Sequence, residues 1–406
     1  MKNIIKYFGA VAFGCAMLTS CDNDEFLTVK PVDTLPGDYI FLNEENAIRG
    51  LNAVYNMNNP NQSGDYDGDW GFKPNLFSGT HPTMDTQAGG WDANFTKQAW
   101  NATTTELNDG WKHAYHAIAL ANDYLAGLEE HKSIVSDAVY KSLKGQAQCM
   151  RGFFYHYLAT TWGRVPMLGT GESYVTNPQK AKAESYEEMW DFLIADFKSA
   201  SELLEWEPMN GQKGRATKGM ALAYLGDCYM WKAYRTKSDS YYADAKKAFK
   251  EVLDNGPYKL QPCYATNWDA EGTWNDETIW VEVLNDCYDL SGWDDGTSRS
   301  MTKWFCAATT NGGWGSINLS WEWYAAYELG DKRRDASCVT GDIPVEQMKK
   351  LYANANKEFI DAYDNGYMPV NHGVHPYLKE YCNADETKHF RFGGENMPSL
   401  WTAKFW

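Results

Sequence analysis

Between residues 105 and 255 apolar side chains return every three or four positions, and this period constrains the fold more than any other feature of the chain. Trp111, Tyr115, Ile118, Asn122 and Leu125 fall on one helical face. Leu143, Ala147, Met150, Phe154 and Leu158 mark a second helix, and Trp190, Leu193, Phe197, Ala200 and Leu204 a third. A fourth is predicted from Ala216 to about Tyr234. Its Gly219, Ala223 and Gly226 would let a neighbouring helix approach closely, despite the propensity cost of glycine. Tyr242, Ala245, Phe249 and Val252 mark a fifth, stopped by Gly256-Pro257. An earlier helix is predicted over Glu44 to Met57. Short linkers, Glu130 to Val135 and Pro208 to Gly214, turn the chain between long helices, as in helical-hairpin repeats of the tetratricopeptide type. The repeat consensus is partial: Trp190-x-x-Leu193 is present, and the Gly and Tyr that should follow are not.

The segments outside this run have a different character. Residues 58–104 and 256–406 are rich in Gly, Asn, Asp and aromatic residues and carry no helical period, and the second holds ten of the eighteen Trp. Alternation at Thr278 to Leu284 predicts one short strand there. Loops this long are functional or disordered, and their Trp and Tyr content argues for order. The expected architecture is mostly α. A helical-hairpin scaffold spans residues 44–255 with an inserted loop region at 58–104, and residues 256–406 form a loop-rich, aromatic-rich ligand-binding region with minor β.

The chain begins with an address. Lys2 and Lys6 precede an apolar stretch, Tyr7 to Leu18, of signal-peptide length and too short to span a bilayer. Leu18-Thr19-Ser20-Cys21 has the pattern of a bacterial lipoprotein box, so residues 1–20 are expected to be cleaved and the Cys21 sulfur to carry lipid. Several acyl chains would make the attachment lasting. The acidic run Asp22-Asn23-Asp24-Glu25 opens a tether over residues 21–43 and is similar to signals that send lipoproteins to the outer cell surface.

Charge and cysteine count exclude several classes. Loss of residues 1–20 takes the formal net charge from −17 to −19, because that segment holds two lysines and no acid. Nucleic acid is therefore a poor partner, and a neutral or cationic ligand suits the bulk charge better than an anionic one. No C-x-x-C occurs, which removes zinc ribbons and thioredoxin motifs. Cys149 and Cys228 are expected to pack as small apolar residues. There is no H-E-x-x-H, P-loop or G-x-S-x-G. Asp276-Glu277 reads as a turn rather than a glycosidase carboxylate pair, which needs a set separation across a sugar. His113-x-x-His116 and His372-x-x-His375 have only loose metal spacing. Asp65-x-Asp67-x-Asp69 opens like a calcium loop but lacks Gly at the sixth place and Glu at the twelfth, so no cofactor is expected, with calcium the one alternative.

Several motifs in order carry a family resemblance. They are Phe26-Leu27 with Pro31; Glu44-Glu45-Asn46-Ala47 to Ala53-Val54-Tyr55; and Trp111-x-x-x-Tyr115-x-x-Ile118-x-x-x-Asn122. Next come Gly145-Gln146-Ala147 to Arg151-Gly152-Phe153-Phe154-Tyr155, with Leu158, Trp162-Gly163 and Val165-Pro166. Gly214-Arg215-Ala216-Thr217-Lys218-Gly219, Glu277-Thr278-Ile279-Trp280 and Tyr327-Glu328-x-Gly330-Asp331-x-Arg333-Arg334 continue the order. In these the chain resembles the SusD/RagB-like outer-membrane lipoproteins. The resemblance implies a non-catalytic, surface-exposed glycan-binding protein of the outer membrane. It would act as a lid on a SusC-like TonB-dependent transporter and deliver oligosaccharide to it. Members continue past a Lys-aromatic pair, here Lys404-Phe405, into further helices, so the chain is expected to be C-terminally truncated and, alone, of reduced stability. The alternatives are a helical-repeat module for protein partners and, behind it, a secreted glycosidase.

Sugars present C–H faces that aromatic planes cover and hydroxyl edges that polar side chains bind. Trp residues flanked by Gly, Asp or Asn suit loop tips, which singles out Trp70, Trp91, Trp293 and Trp314. Asp85, Asp92 and Asp294 are the candidate hydroxyl partners. Trp111, Trp162, Trp190 and Trp231 lie in helical stretches and are assigned to packing.

Overall fold

A computed structural model describes residues 37–58, 81–83, 85–88, 93–268, 274–281, 317–319, 323, 326–327, 331, 333, 337–340 and 400–402. Among them the short helices α1 (Gly37–Ile40), α2 (Glu44–Gly50), α3 (Asn52–Asn56) and α4 (Ala93–Thr96) precede five long ones. These are α5 (Thr105–Glu130), α6 (Asp137–Trp162), α7 (Tyr186–Leu203), α8 (Lys218–Thr236) and α9 (Ser240–Asn255). Each long helix packs on the next in chain order, which makes the expected stack of helical hairpins. Single turns of 3₁₀ helix, Lys132–Ile134 and Met209–Gly211, fill two of the linkers.

The periodic residues form the core. Leu143, Ala147, Met150, Phe154 and Leu158 on α6, and Trp190, Leu193, Phe197 and Ala200 on α7, lose all solvent contact. At about 2 kcal/mol for each large apolar side chain removed from water, these facing stripes dominate the stability of the hairpin. Local signals set the ends. The Ser185 hydroxyl accepts from the Glu188 amide at 3.0 Å, satisfying an orphan donor of the first turn of α7, and the Glu188 carboxylate accepts from the Glu184 amide at 2.6 Å, which pins the entering chain. Gly163, at φ +79°, ends α6 in a conformation that disfavours a side chain. Gly219 and Gly226 act as predicted: a Cβ there would lie 2.0 Å from the Tyr258 hydroxyl and 2.6 Å from the Phe249 ring. Cys149 and Cys228 are fully buried, and burial pushes both thiols up.

Two expectations change. The helix predicted over Glu44 to Met57 is two, parted at Leu51, where Gly50 lets the Ile40 side chain come within 2.3 Å of its missing Cβ. Thr278 to Val281, the described part of the predicted strand, pairs with no described strand. Its apolar residues serve packing instead: the Trp280 indole donates to the Gly214 carbonyl at 2.9 Å and its ring lies 5.5 Å from Phe153. Asp276-Glu277 does form a turn, in which the Glu277 carboxylate accepts from the Gln261 amide. The β structure is minor and elsewhere. Strand β1 (Thr86–Ala88) pairs antiparallel with β2 (Ile317–Leu319), so the inserted loop region and the C-terminal region meet in one ladder. Strand β3 (Cys338–Thr340) pairs antiparallel with β4 (Leu400–Thr402).

Candidate functional site

One buried polar network fixes the loop that follows α6. The Arg151 guanidinium grips Asp196 of α7 through two bonds, 2.8 and 2.6 Å, and both side chains are almost wholly buried. Burial pulls the Arg151 pKa down, but the Asp196 charge and hydrogen bond more than offset this and leave it raised. The same guanidinium donates to the Asn122 side-chain oxygen of α5 at 2.7 Å and to the Thr170 hydroxyl at 3.0 Å. That orients the Asn122 amide, whose nitrogen donates to the carbonyls of Leu168 at 3.1 Å and Glu172 at 2.8 Å. The Asn122 backbone carbonyl accepts from the Gly171 amide, and Tyr155 bonds both backbone groups of Leu168. The base of the loop is closed by the Ala183 amide on the Val165 carbonyl and by a bridge between Pro166 and Lys182. Residues 165–183 are thus held against α5 and α6 as a built wall.

Between this wall and the first turns of α5 lies a cleft of about 440 Å³, lined by Trp111, Lys112, Tyr115, Pro166, Leu168, Tyr174, Asn177, Pro178 and Lys180. That volume falls in the roughly 300–1,000 Å³ range of small-ligand sites. Its floor is apolar and its rim polar. Trp111 and Tyr115, one turn apart, tilt at 50° with centroids 4.9 Å apart, and Trp162 backs Trp111 edge-on. The Tyr115 hydroxyl donates to the Pro166 carbonyl at 2.8 Å, which ties floor to wall, and burial pushes this phenol up. Tyr174, 38% exposed, stands on the wall. On the rim, Lys180 lies 3.1 Å from both oxygens of Glu172, which also accepts from the Gly169 amide at 2.8 Å. The Gly169 amide first, then Lys180, holds the Glu172 carboxyl below the usual carboxylate range. An aromatic and proline floor with amide and ammonium groups at the edge suits a polar ring with apolar faces, which describes a sugar.

This cleft was not among the sequence candidates. Trp111, read as a packing residue, packs and also lines it. Tyr174, Asn177 and Lys180 carried no helical period or motif. The nearest signal was the aromatic pair Trp111 and Tyr115 followed by a loop bracketed by Pro166 and Pro178. Trp190 is core as expected, and Trp162 and Trp231 are half-buried against it. Of the candidate ligand residues only Asp85 is described: it is exposed, and its carboxylate accepts from the Thr83 hydroxyl at 2.9 Å. Trp70, Trp91, Asp92, Trp293, Asp294, Trp314, the lipid site Cys21 and the acidic triplet Asp65, Asp67 and Asp69 lie outside the described residues. His113 is buried with its Nε2 2.6 Å from the Met57 carbonyl. Among the described residues no His, Cys, Asp and Glu group could hold a metal, and no helix is long and apolar enough to cross a membrane.

The family model SusD-like, described as starch-binding associating with outer membrane, matches residues 25–230. The chain belongs to the SusD-like family. A SusD-like protein of Bacteroides ovatus is 25% identical over 251 residues, which cover 59% of this chain and 44% of that relative. The SusD-like chain therefore spans less than half of that relative's length. Among solved structures, a SusD superfamily protein from Bacteroides vulgatus superposes with a TM-score of 0.63 at 20% identity, covering 90% of this chain and 68% of the other. A surface glycan-binding protein A from Bacteroides thetaiotaomicron, in complex with laminarihexaose, gives 0.60 at 20% identity, covering 76% and 66%. At these identities the likeness is one of fold.

Proposed function

We propose that this SusD-like chain is a non-catalytic, cell-surface lipoprotein that captures oligosaccharide or polysaccharide and hands it to a SusC-like TonB-dependent transporter. The observation that carries the reading is the family match over residues 25–230. A protein of the same fold holds laminarihexaose, and the aromatic cleft beside α5 has the size and chemistry for sugar. Residues 1–20 serve as signal peptide, Cys21 as lipid site and residues 21–43 as tether. The loop residues Trp70, Trp91, Trp293 and Trp314, with Asp85, Asp92 and Asp294, contribute to glycan binding. Support comes from the β1–β2 ladder, which sets Ala88 opposite Ile317. In sequence Trp91 follows Ala88, and Trp314 precedes Ile317, by the same short interval.

Affinity electrophoresis of the chain in gels containing a panel of polysaccharides tests the reading. Retardation by at least one glycan is expected. Mobility unchanged in every gel, with tight binding to a protein partner, would replace it by the protein-interaction alternative; release of reducing ends would point to hydrolysis.

A further inference from the structure

The bulk of the chain is acidic, with 54 Asp and Glu against 37 Lys and Arg. The cleft departs from that balance: its lining includes Lys112 and Lys180 and no carboxylate. Lys180 is matched by Glu172. Lys112 is exposed, and no ion pair joins it to a described residue. It sits next to Trp111 in the first turns of α5, above the apolar floor. One ammonium is thus left over where an aromatic ring can hold the face of a sugar. The negative charge of the rest of the molecule is screened beyond about 10 Å at ordinary ionic strength, so the local sign decides for a ligand seated in the cleft.

We propose that the cleft between α5 and the 165–183 loop selects a sugar bearing a carboxylate, a uronic acid, with Lys112 as charge partner and Trp111 and Tyr174 as the ring-covering planes. The inference rests on the glycan-binding reading and narrows it. A neutral sugar would use the aromatic planes and leave the ammonium solvated. A uronic acid adds a charge-assisted bond at the rim, where both partners keep part of their hydration and the desolvation cost is small. The base of the wall, Leu168 to Glu172, cannot move without breaking the Asn122 and Arg151 bonds, so that side of the cleft is preorganised.

The test is titration calorimetry of the full chain with short galacturonic acid oligomers and with the same oligomers after carboxyl reduction, at fixed ionic strength. The acidic oligomer should bind roughly tenfold more tightly, the size of one charge-assisted bond. Lys112→Glu should remove that preference, and Tyr174→Ala should weaken both ligands. Lys246→Glu makes the same charge change on the exposed face of α9 and should keep the preference. Equal affinity for the two oligomers, or a preference that survives Lys112→Glu or disappears with Lys246→Glu, would overturn the proposal. The reading beneath it fails differently, by a lack of retention in every polysaccharide gel.

Discussion

Arg151 shows how one side chain can organise a site it does not touch. It joins α6 to α7 through Asp196, to α5 through Asn122 and to the loop through Thr170. Removing one member leaves the others buried and unmatched. Arg151→Met should cost about 3–5 kcal/mol, because it strands the Asp196 charge. The double variant Arg151→Met with Asp196→Leu should recover much of that loss, since it removes both charges at once. Urea unfolding of the two variants checks this; a double variant no more stable than the single one would show that the loop bonds, rather than the ion pair, carry the energy. Glu172 adds a pH dependence. Its folded pKa is depressed, so its contribution is fully present above the ordinary carboxylate value of roughly 4.3 and is lost as pH falls through the depressed value. Protection of the Gly169 amide proton, taken against its intrinsic exchange rate at each pH, should fall over that acidic window, and Glu172→Gln should remove the effect. Arg151 and Asn122 were visible as motif residues. Their partner Asp196 was not, because 45 residues separate it from Arg151 and only the fold brings them together.

At the level of elements, the helices were legible and the loops were not. A helix declares itself by a period set by its own backbone, and the five long helices follow it. The 165–183 loop takes its shape from hydrogen bonds to α5 and α6, a long-range cause that leaves no local pattern. The described part of the strand predicted at Thr278 pairs with no described strand for a related reason: alternation is present, but pairing depends on a partner, and Trp280 is drawn to Gly214 and Phe153. Contacts between helices give a sharper test. A Cβ on Gly152 would lie 2.6 Å from the Phe197 ring, which has no exposed surface and no room to turn. Gly152→Ala should therefore destabilise by about 1–3 kcal/mol, even though alanine is the better helix former by about 1 kcal/mol. Gly226→Ala meets Phe249, which is only half-buried and can rotate outward, so its cost should be smaller. Thermal melts of the two variants side by side read the difference directly.

For the whole molecule, the address and the scaffold answer separate questions. The lipoprotein box at Cys21 predicts that Cys21→Ser moves the protein from the membrane fraction to the soluble one without changing glycan retention in a gel. Fractionation and affinity electrophoresis of the same variant test both halves of that statement. The bulk charge argues against nucleic acid as a partner, but it does not set the sign of one cleft, because net charge averages over the surface. The acid-poor lining arises from which residues the loop turns inward, a matter of conformation rather than composition.

The way the 165–183 loop is fastened has a consequence for how such a protein can diversify. Its hydrogen bonds to α5 and α6 end at Glu172, while Tyr174, Asn177, Pro178 and Lys180 line the cleft beyond them, Asn177 and Lys180 bonded to Glu172 within the loop. Foundation and display therefore overlap at Pro166, Leu168 and, through Glu172, at Lys180, and part at Tyr174 and Pro178. Mutation at Tyr174 or Pro178 can revise the lining of the cleft one position at a time, while the helices beneath register no change.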